Sequence, residues 1–284
     1  MPVNRRDFLK LAGLALGGTL LGAESAAASV DASQHWSMLY DATKCVGCNA
    51  CTNGCREWNK TPVEKDPTGR YDAPKELTAK TWTLIQLYKG QSEYSFVKRQ
   101  CMHCVEPACV SACPVHALQK QSAGPVTYDP SRCIGCRYCM YACPFHVPRF
   151  EWNKVIPVIA KCTLCNDRLL SGKGGPRCAE YCPTGALIWG KRSTLLADAK
   201  RRIAATPDRY HDHVYGENEA GGTSVLYLAG VPYEKLGLPK LGTEAIPALS
   251  EKVGNVTIPG ILLGVPLALA AVRYIAKEQG WVEE

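Results

Sequence analysis

At 284 residues, 46% apolar and 21% charged, the chain is long enough for one large domain or two ordinary ones and lacks the composition of a disordered protein. Its formal net charge of +7 raises nucleic acid or an acidic membrane surface as partners, but no run of Lys and Arg is long enough to support either. Sixteen cysteines are far more than packing alone calls for in a chain of this size.

The first segment reads Asn4-Arg5-Arg6-Asp7-Phe8-Leu9-Lys10, then an apolar, glycine-rich run over 11–22, then Ala26-Ala27-Ala28. Charged, apolar and cleavable regions in that order predict a twin-arginine (Tat) signal over residues 1–28. A general secretory signal is the alternative, and the paired arginines with Phe8-Leu9 and Lys10 argue for Tat. That route exports proteins already folded, so cysteines on an exported chain need not form disulfides.

All sixteen cysteines then fall into four groups of four. They are Cys45-x2-Cys48-x2-Cys51-x3-Cys55; Cys101-x2-Cys104-x4-Cys109-x3-Cys113-Pro; Cys133-x2-Cys136-x2-Cys139-x3-Cys143-Pro; and Cys162-x2-Cys165-x12-Cys178-x3-Cys182-Pro. Three thiolates at every third position can wrap one cubane, while the fourth points away to a second cluster. A following proline ends the loop and leaves no backbone N–H to satisfy. Zinc prefers paired Cys-x-x-Cys units, and disulfides are disfavoured by the local crowding; a zinc- or disulfide-stabilised exported structural protein is therefore the weaker alternative of another class. Four [4Fe–4S] clusters with their thiolates would add about −8 to the charge. On that reading the surplus of Lys and Arg compensates buried anions.

Cys113-Pro-Val-His-Ala-Leu118 repeats as Cys182-Pro-Thr-Gly-Ala-Leu187, and a short strand is predicted at Pro125-Val-Thr-Tyr-Asp129. The expected organisation is α+β: an outer dicluster ferredoxin unit from 36–95 and 156–192, and an inner one from 96–155. A C-terminal extension over 193–252 and an anchor over 253–276 follow. His103, His116 and His146 lie in or beside the cysteine loops and are expected to hydrogen-bond rather than ligate. Gly172-Lys-Gly-Gly175 lacks the spacing of a phosphate loop and reads as a surface turn. Trp82, in Thr81-Trp-Thr-Leu-Ile-Gln-Leu-Tyr88, is assigned to a strand and to core packing. Gly221-Gly222 is expected to turn into a strand at Val225 to Leu228.

Lys252 and Arg273 bracket twenty uncharged residues, about 30 Å of helix and the thickness of a hydrocarbon core. Gly260 and Gly264 would let another helix approach closely, and Arg273 with Lys277 would keep the C-terminus cytoplasmic. A buried core helix is the alternative, favoured by Pro259, Pro266 and Asn255.

Taken together the motifs resemble the four-cluster iron–sulfur subunits of membrane-bound oxidoreductases. The resemblance implies a nested exchange of last cysteines. One cluster would take Cys133, Cys136, Cys139 and Cys113; a second Cys101, Cys104, Cys109 and Cys143; a third Cys45, Cys48, Cys51 and Cys182; a fourth Cys162, Cys165, Cys178 and Cys55. Arg56 replaces the usual proline after Cys55 without touching a ligand. Cys101-Met-His-Cys-Val-Glu-Pro-Ala-Cys109, Cys133-Ile-Gly-Cys-Arg-Tyr-Cys-Met140, Val214-Tyr-Gly-Glu-Asn-Glu and Leu228-Ala-Gly-Val-Pro-Tyr-Glu-Lys-Leu-Gly-Leu-Pro-Lys240 are similar to hydrogenase-2 type electron-transfer subunits. Arg56-Glu-Trp-Asn59, Leu77-Thr-Ala-Lys-Thr-Trp82 and Lys161-Cys-Thr-Leu-Cys165 resemble the β subunit of membrane-bound formate dehydrogenase. The chain's own Tat signal favours hydrogenase. The resemblance implies a non-catalytic subunit at the periplasmic face of the cytoplasmic membrane. It would relay electrons between the small and large subunits of a [NiFe] hydrogenase and a quinone-reactive integral membrane subunit, with no nucleic-acid role. A freely diffusing polyferredoxin is the remaining rival, and no nucleophile, phosphate-loop or flavin motif suggests catalysis of its own.

Overall fold

The computed structural model describes residues 31–64, 76–91, 93–152 and 159–279. The export signal expected over 1–28 lies outside them.

One small sheet organises the molecule. β1 (Trp36–Asp41) is its central strand, antiparallel to β8 (Leu187–Lys191) and parallel to β9 (Val225–Leu228), with Met38 opposite both Trp189 and Val225. Alternation along β1 divides its side chains between two cores. Met38 and Tyr40 join Val225, Tyr227 and Leu187 on the face that carries cysteines, whereas Leu39 joins Leu226 and Leu228 on the other. That second face is covered by the longest helix of the body, Arg192–Ala205, through Leu195, Ala199 and Ile203. The C-terminal extension is thus built into the body, since it supplies both a strand and the helix that closes the sheet.

The β1–β8 pairing places the first cysteine group beside the fourth. β1 runs into Cys45, and β8 begins five residues after Cys182. Helix α1 (Ala50–Asn59) carries Cys51 and Cys55 against the one-turn helix Arg177–Glu180, which carries Cys178.

The second and third groups are joined by the hairpin of β4 (Leu118–Lys120) and β5 (Val126–Tyr128), where Leu118 faces Tyr128. Two further two-stranded pairs lead into cysteine loops: β2 (Leu84–Lys89) with β3 (Tyr94–Arg99) before Cys101, and β6 (Arg149–Phe150) with β7 (Ile159–Ala160) before Cys162. The strands at 126–128 and 225–228 fall where the sequence puts them, and Gly221 and Gly222 both have positive φ, as a turn requires.

Two local expectations need correction. Trp82 lies ahead of β2, half-buried, and its Nε1 donates to the Ala79 carbonyl at 3.0 Å, so it closes a turn rather than packing along a strand. The 172–175 turn is exposed at Gly172 and Lys173, but Gly175 is buried and a Cβ there would stand 2.1 Å from the Trp189 ring.

A helical segment from Ala248 to Glu278 leaves the body, with its candidate membrane span over Ala248–Tyr274. It comprises a first turn (Ala248–Lys252), a π-helical turn (Val253–Thr257) and an α-helix (Ile258–Glu278) with Pro266 inside it. Its mean hydropathy is 1.9 and none of its apolar window is buried, so it is not the core helix that its prolines suggested. It is long and apolar enough to cross a membrane.

Candidate iron–sulfur centres

Each cysteine loop uses the same backbone device. The residue before the second cysteine of each group has positive φ: Gly47, His103, Gly135 and Leu164. This left-handed residue reverses the chain and turns its own amide toward the first sulfur. Gly135 N–H donates to Cys133 Sγ at 3.4 Å and Leu164 N–H to Cys162 Sγ at 3.4 Å, and the Gly47 amide does the same for Cys45. At Gly47 the residue type is fixed twice, since a Cβ would also meet the Phe96 ring at 2.4 Å.

A second device follows the last cysteine of three groups. His116, His146 and Gly185, each three residues beyond its Cys-Pro cysteine, again have positive φ. The amide one residue later reaches back to sulfur, as Ala117 N–H does to Cys113 Sγ at 3.2 Å and Val147 N–H does to Cys143. Amide hydrogen bonds to sulfur stabilise thiolate and set cluster potential.

The thiols gather in four sets. Cys51 interacts electrostatically with Cys45, Cys48 and Cys182. Cys178 and Cys162 each interact with both Cys55 and Cys165. Cys104 interacts with Cys101, Cys109 and Cys143, and Cys139 with Cys113, Cys133 and Cys136. Links between sets join Cys51 to Cys55 and Cys178, Cys162 to Cys101, and Cys109 to Cys139. The four sets therefore follow one another in a line.

Burial follows the same line. The exposed cysteines are Cys48, in the first set, and Cys136, in the last; the two middle sets are buried apart from the half-buried Cys104. Without metal, burial pushes the thiol pKa up to about 11 at Cys55 and about 12 at Cys109, Cys139 and Cys178.

The residues fit cubane clusters. All sixteen thiols are free of disulfides. Among the described residues no three His, Cys, Asp or Glu converge tightly enough for a single ion, whereas a cubane spreads its four thiolates over four irons. His103 adds an orphaned donor. Its Nδ1 accepts the Val126 amide at 2.9 Å, so the neutral ring carries its proton on Nε2. Nε2 is buried with no partner among the described residues, next to Cys104 in the loop. Burial holds this ring's pKa well below the ordinary histidine range. His103 is thus hydrogen-bonded through Nδ1 and presents an unpartnered N–H beside Cys104.

An internal repeat longer than Cys-Pro-x-x-Ala-Leu emerges here. Tyr40-Asp-Ala-Thr-Lys-Cys-Val-Gly-Cys48 parallels Tyr128-Asp-Pro-Ser-Arg-Cys-Ile-Gly-Cys136. Asp41 Oδ1 accepts from Thr43 N–H at 3.1 Å and from its hydroxyl at 2.6 Å; Asp129 Oδ1 accepts from Ser131 at 2.9 and 2.6 Å. Leu187 faces Tyr40 as Leu118 faces Tyr128. The match was visible in the sequence, but only the strand pairing shows that both copies enter a cysteine loop by the same turn.

The long spacer between Cys165 and Cys178 is closed by the buried Arg168. Its guanidinium donates to the carbonyls of Gly175 and Lys173, both at 2.9 Å, and to both Glu180 carboxylate oxygens, and it stacks 4.6 Å from the Trp58 ring. Arg168→Met should leave two buried carbonyls unpaired and strip Glu180 of its closer cation, with Arg177 still 3.1 Å from it, at a cost of about 2–3 kcal/mol. A urea midpoint lowered at unchanged slope would register it.

Two family models match the chain, both described as 4Fe-4S dicluster domains, over residues 44–118 and 92–192. The hydrogenase-2 operon protein HybA of Escherichia coli O157:H7 is 41% identical over 95% of this chain and 93% of its own length. The nitrate-inducible formate dehydrogenase iron-sulfur subunit of E. coli K12 is 39% identical over 71% of each chain. The formate dehydrogenase iron-sulfur subunit of Haemophilus influenzae is 38% identical over 71% of this chain and 68% of its own. Two dicluster domains and sixteen cysteines displace the zinc or disulfide scaffold and give four [4Fe–4S] clusters. The chain belongs to the four-cluster ferredoxin-type iron–sulfur subunits, the non-catalytic electron-transfer subunits of hydrogenase and formate dehydrogenase complexes.

Proposed function

We propose that this subunit relays electrons between a periplasmic [NiFe] hydrogenase and a quinone-reactive membrane subunit, along clusters in the order of the four thiol sets. Cluster A takes Cys45, Cys48, Cys51 and Cys182; B takes Cys55, Cys162, Cys165 and Cys178; C takes Cys101, Cys104, Cys109 and Cys143; D takes Cys113, Cys133, Cys136 and Cys139. A and B form the outer dicluster unit and C and D the inner one. Clusters supply one-electron carriers, and the chain's residues hold them close, exclude water from the middle pair and leave the ends accessible.

The observation that carries this reading is the line of sets with an exposed cysteine at each end. Val46 and Ile134, at equivalent loop positions beside Cys48 and Cys136, are 56% and 60% exposed, so each end offers an apolar contact to a partner. The foot of the C-terminal helix supports a membrane exit at the inner unit, whose exposed end is D. Ile246, Pro247, Ser250 and Glu251 share a cleft with Ala108, Ala112 and Ala142, which flank Cys109, Cys113 and Cys143. Hydrogenase then docks at A. Export by Tat, read from Arg5-Arg6, puts the body on the periplasmic side.

Affinity purification of the full chain from detergent-solubilised membranes, followed by metal analysis of the complex, tests the partner. Nickel in stoichiometric amount is expected. Molybdenum or tungsten without nickel would instead establish the formate dehydrogenase reading, which the 39% identity to that subunit favours as the second choice.

A further inference from the structure

Lys98, on β3, is fully buried, as its neighbours Tyr227 and Val97 are. Its Nζ donates to Thr83 Oγ1 and Gln100 Oε1, both neutral, and among the described residues no carboxylate forms an ion pair with it. The Tyr227 hydroxyl fixes its backbone by donating to the Lys98 carbonyl at 2.7 Å. A desolvated ammonium without a counter-charge is strongly disfavoured. What faces it instead is sulfur: Cys51 from set A, and Cys55, Cys162 and Cys178 from set B.

The inner unit has a counterpart. Lys161, just after β7, is 3% exposed, and its Nζ donates to the carbonyls of Val126 and Cys162. It faces Cys109 and Cys143 of set C. In the internal repeat, Cys178 and Cys55 of the outer unit correspond to Cys109 and Cys143 of the inner unit. The two lysines thus occupy equivalent places, although one precedes Cys101 by three residues and the other precedes Cys162 by one.

We propose that Lys98 and Lys161 are built-in counter-charges that raise the reduction potentials of the clusters they face, Lys98 acting on A and B and Lys161 on C. Reduction adds one negative charge to a cluster, so a fixed cation nearby favours the reduced form. The proposal rests on the ligand sets above.

The test is an EPR-monitored redox titration of the full chain purified anaerobically in its complex, comparing wild type with Lys98→Met, Lys98→Arg and Lys161→Met. In Lys98→Met, two of the four midpoint potentials should fall by at least a tenfold change in oxidised-to-reduced ratio, about 59 mV for one electron. The other two should hold, Lys98→Arg should restore the wild-type values, and Lys161→Met should lower a different cluster. If Lys98→Met fails to assemble, Gln100→Glu decides, because a carboxylate against Nζ cancels its field and should lower the same two potentials. Unchanged potentials in chains that retain four clusters, or an equal fall of all four, would overturn the proposal. A wild-type chain with fewer than four clusters would instead overturn the ligand sets.

Discussion

Stripping the iron with a chelator under anaerobic conditions should unfold the chain outright rather than leave a folded apoprotein. Cysteines are part of three of its four apolar cores: Cys51 and Cys178 in the largest, Cys101, Cys143 and Cys162 in another, and Cys109 and Cys139 in a third. The sheets between them are too small to stand alone, with strands of two to six residues and three of the four sheets only two-stranded. Each cluster core removed leaves a void that the loops, held by left-handed residues at Gly47, His103, Gly135 and Leu164, cannot close without changing conformation. Metal binding and folding are therefore one equilibrium. The intact chain should contain about sixteen irons and sixteen sulfides and unfold cooperatively. After chelation, near-UV circular dichroism should vanish and limited proteolysis should cut within 44–192. A chelated chain that kept its near-UV spectrum would contradict this account.

Removing residues 253–284 should move the protein from membrane to soluble fraction while leaving its four clusters in place. Ten Leu, Ile or Val residues lie within 253–272. At about 0.3–0.6 kcal/mol each they favour insertion by about 3–6 kcal/mol, a partition of roughly 10² to 10⁴. No described residue of this segment belongs to an apolar core of the body, so the deletion costs the fold little. Membrane fractionation with an iron assay on both fractions reads the result. A truncated chain that stayed on the membrane at full yield would mean that a partner, not the helix, holds it there.

The cysteine groups were legible because their spacing is itself the geometry: a loop with a thiol at every third residue has one compact use. The helix at the C-terminus was legible for a similar reason, twenty uncharged residues in a row. The cause of the pairing between first and fourth groups was not legible. It lies in β1 pairing with strands some 150 and 190 residues away, and nothing local to Trp36–Asp41 announces that. Charge was misleading in detail. The surplus of Lys and Arg was read as compensation for anions, yet sequence cannot separate Lys98 and Lys161, which are buried, from lysines on the surface. Gly175 gave no sign of its burial, because the side chain that presses on it, Trp189, comes from a strand outside the turn.

The placement of Cys48 and Cys136 at the surface, with the middle sets enclosed, also fixes where the molecule ages. With the ligand sets proposed above, oxidants would reach the two outermost clusters first, and corrosion there would cut the circuit at its terminals while the enclosed middle still held the body together. A worn subunit of this design is an open switch in an intact housing. Such a subunit would keep its place and carry no current.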